Sequence, residues 1–212
     1  MLDPATPATS GCVWTPTGEL HAKVRAFGKY PNIADWLPGD ILLVSATDPD
    51  WIARIIINIQ TQQYGAVHGR WQHAAIYMGN GFVAEATTHG VTYSPIEKYV
   101  GEYFLNVRRN PALTADQRWL VAIEAGVRLR TAYGFSDILS IYRSSFPMLR
   151  RQLRPKVMVQ ANAVICSQLC QEAHATVTSQ LLVPFASSPA VPAALDQTTK
   201  LVDVALYWCS IN

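Results

Sequence analysis

Hydrophobic and polar residues alternate in short blocks along most of this chain, and the blocks change period from about two to about 3.6 at recognisable stop signals. Asp40-Ile41-Leu42-Leu43-Val44, following the Pro38-Gly39 turn, is an uninterrupted apolar run of the kind that forms a buried strand. Asp48-Pro49-Asp50 reads as a helix start, and the helix it opens is predicted over 51–63 with Ile55, Ile56 and Ile59 on one face. Strands are predicted at 71–78 and 82–86, joined by the tight Gly79-Asn80-Gly81 turn, where Asn and Gly tolerate positive φ. Further strands are expected at 91–93, after the His89-Gly90 turn, and at 103–108, with a short helical turn at 95–99.

The helical period then takes over. Thr114-Ala115-Asp116-Gln117 is a capping-box pattern, and it opens a helix predicted to run to about residue 130 with Leu120, Ile123 and Val127 on its apolar side. A further helical stretch begins at Gly134, and Asn162 is placed to cap an apolar helix over 163–177. Residues 201–208 form a last strand or helix. Residues 1–30, rich in Pro, Thr and Gly, are expected to be a loosely ordered lead-in, and 31–212 a single domain. The pattern as a whole predicts an α+β fold, one antiparallel sheet with helices packed on it.

Composition narrows the function classes. Half the residues are hydrophobic and the net charge is only +2, which argues against a disordered chain, a nucleic-acid binder or strong electrostatic attachment to membranes. No apolar stretch reaches the roughly 18 residues of a membrane span, and no basic-then-apolar signal peptide is read at the N-terminus, so synthesis in the cytoplasm is expected. The four cysteines, Cys12, Cys166, Cys170 and Cys209, match no zinc spacing, and each is read first as a buried free thiol. Arg143, Arg150, Arg151, Arg154 and Lys156 form a basic cluster that is either a solvated loop or a rim attracting an anionic substrate.

Chemistry enters through two segments. His73 and Glu85 lie toward the outer ends of the two hairpin strands, where facing side chains come within about 5 Å or somewhat more on the diagonal. An imidazole oriented by a carboxylate is the arrangement of a catalytic base, although a structural pair on a sheet face has the same signature. Cys166 follows closely on Asn162 and is therefore expected in the first turn of its helix, where the helix dipole and a nearby imidazolium favour the thiolate. Cys170, one turn on, has no such advantage and is read as packing. His68 and His89 lie near the hairpin without any regular ligand spacing.

Gly39-Asp40-Ile-Leu-Leu-Val, His73-Ala-Ala-Ile-Tyr-Met-Gly-Asn-Gly, Val83-Ala-Glu-Ala and Cys166-Ser-Gln-Leu together resemble the circularly permuted NlpC-type papain-like superfamily. That group includes YiiX-like hydrolases and the lecithin:retinol acyltransferase branch, and the resemblance spans about residues 38–172. It implies a papain-like fold with the nucleophile at a helix N-terminus. It also implies Cys166 as nucleophile, His73 as base and Glu85 as the residue that orients His73. The third residue is often His in the acyltransferase branch, so Glu85 departs from that branch. Tyr77 or Tyr133 is the counterpart expected for tyrosines near the site, and Trp51, Ile55, Ile56 and Trp71 read equally as an apolar pocket wall or as core packing.

The chemistry so implied is amide cleavage through a thioester, with no cofactor or metal, and with the oxyanion held by N–H groups at the start of the Cys166 helix. Peptidoglycan stem peptides are the first substrate expected. Lipid amides or esters are the alternative, and an inactive binding module of the same fold is a second. Cell-wall chemistry without a signal peptide would suit an antibacterial effector delivered by a dedicated secretion machine, with an immunity or inhibitor protein as partner.

Overall fold

In the computed structural model, residues 1–9, 19–87, 90–128, 154–184 and 190–211 are described. The expected helical stretch from Gly134, Tyr133, His89, Cys12 and the basic residues 143–151 lie outside them. Two sheets and five helices are found among the described residues. The strands are β1 (Ala8–Thr9), β2 (Lys29–Pro31), β3 (Ile41–Ala46), β4 (His73–Gly79), β5 (Phe82–Thr87), β6 (Gly90–Pro95), β7 (Tyr103–Arg109), β8 (Val202–Asp203) and β9 (Trp208–Ser210). The helices are α1 (Ala22–Phe27), α2 (Trp51–Gly69), α3 (Ala115–Val127), α4 (Arg154–Thr178) and α5 (Pro192–Gln197), with a 3-10 turn at Ile96–Tyr99.

The large sheet is antiparallel throughout, in the order β6-β5-β4-β3-β7-β8. Because side chains alternate faces along a strand, its two faces carry two separate cores. Ile41, Leu43, Ala74, Ile76, Ala84 and Ala86 face the helices and pack on Val121 and Ala125 of α3 and on Cys166, Leu169, Cys170 and Ala173 of α4. Leu42, Val44, Ala75, Tyr77, Val83, Leu105 and Val107 point the other way, onto Val24, Tyr30, Trp36 and Trp208. The apolar run 41–44 is continuous because it is buried on both sides.

On the second face, the described parts of the expected lead-in, residues 1–9 and 19–30, carry regular elements that pack on the sheet. β1 runs parallel to β9 and β2 antiparallel to it, forming a small three-stranded sheet. Leu2 exchanges backbone hydrogen bonds with Leu105, and Val24 is fully buried. The Pro and Thr content of the first thirty residues conceals a few apolar anchors, each worth about 1.5–3 kcal/mol when buried. Cys209, expected to be a free thiol, is disulfide-bonded.

Asp40 ties the sheet to α3. Its buried carboxylate accepts from Arg109 Nε at 2.8 Å and Nη2 at 2.6 Å, and from the Leu37 backbone N–H at 2.8 Å. Arg118 of α3 lies 3.6 Å away. Thr114 and Gln117 form the reciprocal capping box expected at the start of α3. The face of that helix is not the expected one. Val121, Ala122 and Ala125 are buried, while Leu120, Ile123 and Val127 are 50%, 52% and 67% exposed. Close packing explains the choice. A Cβ on Gly39 would lie 3.0 Å from the Arg118 carbonyl oxygen and 3.4 Å from Val121 Cβ, so only small side chains fit between α3 and the sheet.

Two helices are longer than the pattern indicated, and two, α1 and α5, were not anticipated. α2 continues to Gly69 across a break at Gly65, whose φ of 76° and ψ of 166° are not helical. α4 begins at Arg154 rather than Ala163. Pro155 sits in its first turn, where the absent N–H costs nothing, and no breaker separates it from Asn162, so the apparent cap is an interior residue. α5 opens on Pro192 by the same rule.

Candidate functional site

His73 opens β4 and Glu85 lies near the end of β5, but the ladder joining these strands stops short of them. Its last pair toward His73 is Ile76 with Ala84, with Tyr77 opposite Val83 next. Beyond Ile76, β4 pairs with β3 on its other side, Ala74 opposite Leu43 and His73 opposite Val44. The seam that opens between β4 and β5 is where Cys166 meets the sheet. The Ala74 backbone N–H donates to the Cys166 sulfur, and the thiol is also hydrogen-bonded to His73.

The imidazole joins the two partners. Its Nε2–H donates to Glu85 Oε2 at 2.7 Å, leaving Nδ1 for the cysteine. Glu85 is 1% exposed yet fully engaged. Lys98 Nζ donates to Oε1, the Tyr99 hydroxyl donates to Oε2, and Ser94 adds a further hydrogen bond. Lys98 and Tyr99 come from the 3-10 turn and Ser94 from β6, whose register with β5 sets Thr92 opposite Glu85.

The charges follow from these contacts. Burial raises the Glu85 carboxyl, but His73, Lys98 and Ser94 outweigh it and hold the group well below the usual carboxylate range. Burial disfavours the His73 imidazolium, yet the Cys166 thiolate and Glu85 raise it to about 9. Burial likewise pushes the Cys166 thiol up, and the His73 charge, the Ala74 N–H and Ser167 bring it below its ordinary value. A thiolate–imidazolium pair therefore persists from below the ordinary thiol range up to about pH 9. Cys170, also fully buried, is pushed well up by burial and by Cys166, so it stays a neutral thiol.

The source of the low thiol pKa differs from the expectation. Cys166 is not in a first turn: roughly three turns of α4 precede it. Its own N–H bonds within the helix, so neither a helix dipole nor free N–H groups at a helix start act on the sulfur. The electrostatic work falls to the imidazolium and the strand amide.

Of the other residues singled out in the sequence, Tyr77 lies on the opposite face of the sheet from Cys166, whereas Trp71 shares the helix-side core with Cys166 and Ala74. Tyr77 is buried at the far end of the hairpin, its hydroxyl accepting from Gly81 N at 3.1 Å and its ring edge-on to Trp36. Trp71 is a core residue on the helix side. His68 pairs with Asp196 of α5 at 2.7 Å, and this links the end of α2 to α5. Lys98, Tyr99 and Ser94 were not foreseen. Counting the period-two register outward from Glu85 to the next strand would have reached Ser94, whereas the 3-10 turn that returns Tyr99 carries no pattern of its own. No protein-family model matches the chain, and neither a curated protein nor a solved structure matches it.

Proposed function

We propose that the chain is a papain-like cysteine hydrolase acting by acyl transfer, with Cys166 as nucleophile, His73 as acid and base, and Glu85 orienting His73. The observation that carries this reading is the junction at the seam, where one imidazole bridges a buried carboxylate and a thiol whose pKa it lowers. A structural His–Glu pair would need no cysteine there, and a packing cysteine would need no cation.

The Cys166 thiolate adds to an amide carbonyl carbon, forming a C–S bond. The His73 imidazolium protonates the leaving nitrogen as the C–N bond breaks, giving a thioester and an amine. His73, now neutral, takes a proton from water as its oxygen attacks the thioester. The C–S bond then breaks to release the acid, and the thiolate–imidazolium pair is restored. The sulfur is fully buried while the His73 side chain is 21% exposed, so the carbonyl approaches past the imidazole, with local opening of the seam.

Peptidoglycan stem peptides are the first substrate class, from the resemblance of the His73, Glu85 and Cys166 segments. A lipid amide or ester is the second, and one observation favours it: Trp119, Leu120, Ile123 and Val127 give α3 an outward apolar face. Delivery as an antibacterial effector, with an immunity protein as partner, belongs to the first reading. The test is intact-mass labelling with iodoacetamide across pH, followed by incubation with isolated peptidoglycan and with phospholipid vesicles. Wild type should label fast near neutral pH, Cys166→Ala should not label at that site, and His73→Ala should label slowly. Peptide release from the wall or lysolipid from vesicles, lost in Cys166→Ala, then assigns the substrate. Equally slow labelling of all three proteins would sink the acyl-transfer reading and leave an inactive binding module.

A further inference from the structure

The 3-10 turn after β6 supplies two donors to one carboxylate, and neither is needed to hold the turn together. The backbone of the turn closes on itself, Val100 N–H to the Glu97 carbonyl, and α1 fastens it from outside through Lys23 Nζ to the Lys98 carbonyl at 3.3 Å. The side chains of Lys98 and Tyr99 point inward instead. Lys98 crosses from a 43% exposed position to reach Glu85 Oε1, at a carboxylate that is itself 1% exposed. Tyr99, buried, gives its hydroxyl to Oε2, the same oxygen that receives the His73 Nε2–H. Its ring stands 6.3 Å from the His73 ring and is held edge-on by Tyr103 of β7 at 5.3 Å.

A glutamate carboxylate, carried on three side-chain torsions, can orient an imidazole only if its own oxygens are fixed. Here Lys98 pins Oε1, and Tyr99 fixes the direction of Oε2. We propose that Lys98 and Tyr99 are positioning residues of the Cys166–His73–Glu85 site, holding Glu85 ionised and aimed so that the imidazolium, and with it the thiolate, is retained at acid pH. This rests on the acyl-transfer reading above and deepens it. Among the described residues, the titratable groups found facing Glu85 belong to the arrangement: His73 from β4, Lys98 and Tyr99 from the turn, and Cys166 of α4 through His73, with the neutral Ser94 from β6.

The two contacts differ in kind, and so do their effects. Lys98 brings a charge that favours the Glu85 carboxylate directly and, at longer range, the thiolate. Removing it moves the acid limb of Cys166 reactivity upward. Because Lys98 is partly exposed and lies beyond His73 from the sulfur, the expected displacement of the limb is no more than about one pH unit. Tyr99 brings a neutral donor to a buried anion, and its loss moves the same limb in the same direction while slowing the plateau.

The experiment is the rate of Cys166 alkylation by iodoacetamide as a function of pH, read by intact mass, for the full chain and for Lys98→Met, Lys98→Arg and Tyr99→Phe. The acid limb should rise by about one pH unit in Lys98→Met, return toward wild type in Lys98→Arg, and rise in Tyr99→Phe with a plateau several-fold lower. Far-UV circular dichroism checks that each variant is folded, and a purely structural defect would lower labelling at every pH without moving the limb. Limbs in Lys98→Met and Tyr99→Phe that coincide with wild type would overturn the positioning role while leaving the acyl-transfer site intact. A wild-type chain whose Cys166 shows no acid limb at all would overturn both.

Discussion

Acidification should unfold this protein through one histidine that takes no part in the chemistry. His174 sits on α4 two turns beyond Cys166 and is fully buried. Its Nδ1–H donates to the Cys170 carbonyl at 2.9 Å, and its Nε2 has no hydrogen-bond partner. Protonation would put a proton on that bare nitrogen, inside the core and near the Arg118 guanidinium of α3. Burial, with a smaller contribution from Arg118, accordingly lowers the pKa from 6.5 to about 4. The unfolded chain then binds more protons than the folded one between these values, so stability falls as the pH falls through the window. Fully crossed, the window costs on the order of 3 kcal/mol, a large part of the stability of an ordinary domain. Urea unfolding monitored by tryptophan fluorescence at a series of pH values measures it. Wild type should lose this increment between about pH 6.5 and pH 4, and His174→Gln should lose visibly less over the same interval, whatever its absolute stability. Parallel curves for the two proteins would refute the reasoning. Because α4 also carries Cys166, loss of thiol reactivity in acid should accompany this transition in wild type.

Two stability tests address how α3 packs. Gly39→Ala should cost about 2 kcal/mol, because φ of 83° is strained for a residue with a Cβ and that Cβ would lie 3.0 Å from the Arg118 carbonyl. A thermal melt should show it as a fall of roughly 4–8 °C, and an unchanged melt would mean that α3 stands off from the sheet. Val121→Ala should lower the urea midpoint by the equivalent of about 2 kcal/mol, while Ile123→Ala should stay within about 0.5 kcal/mol of wild type. The reverse ranking would restore Leu120, Ile123 and Val127 as the inward face.

Much of the sheet was legible because its cues are local. The apolar run 41–44, the Gly79-Asn80-Gly81 turn and the alternation around His73 and Glu85 each give strand, direction and partner without help from distant residues. The same alternation puts His73 and Glu85 on one face, although the β4–β5 ladder itself ends at Ile76 and Ala84, short of both. What was not legible depended on space between elements. Leu120, Ile123 and Val127 make a sound amphipathic pattern, yet the gap over Gly39 and Gly126 admits only small side chains, so α3 turned its other side inward. Asn162 has the chemistry of a cap, but caps act only where a helix stops, and nothing from Pro155 onward stops this one. The start of the chain looked loose because two short strands, β1 and β2, gain their order from a partner, β9, at the other end of the chain. Lys98 and Tyr99 reach Glu85 only through a turn whose path no periodicity encodes.

The seam between β4 and β5 also bears on how long an acyl group would stay attached. In the resting protein the Ala74 N–H is satisfied by an anionic sulfur. Once acylated, that sulfur is neutral and a weak acceptor, and β5 is too far along its divergence to offer a carbonyl in its place. A buried donor left without a partner costs about 1–3 kcal/mol, and the cost is borne by the covalent intermediate alone. The unpaired amide thus works as a loaded spring. On the proposed acyl-transfer reading it would raise the thioester relative to both the resting protein and the hydrolysed product, so that turnover, rather than storage of the acyl chain, would be favoured.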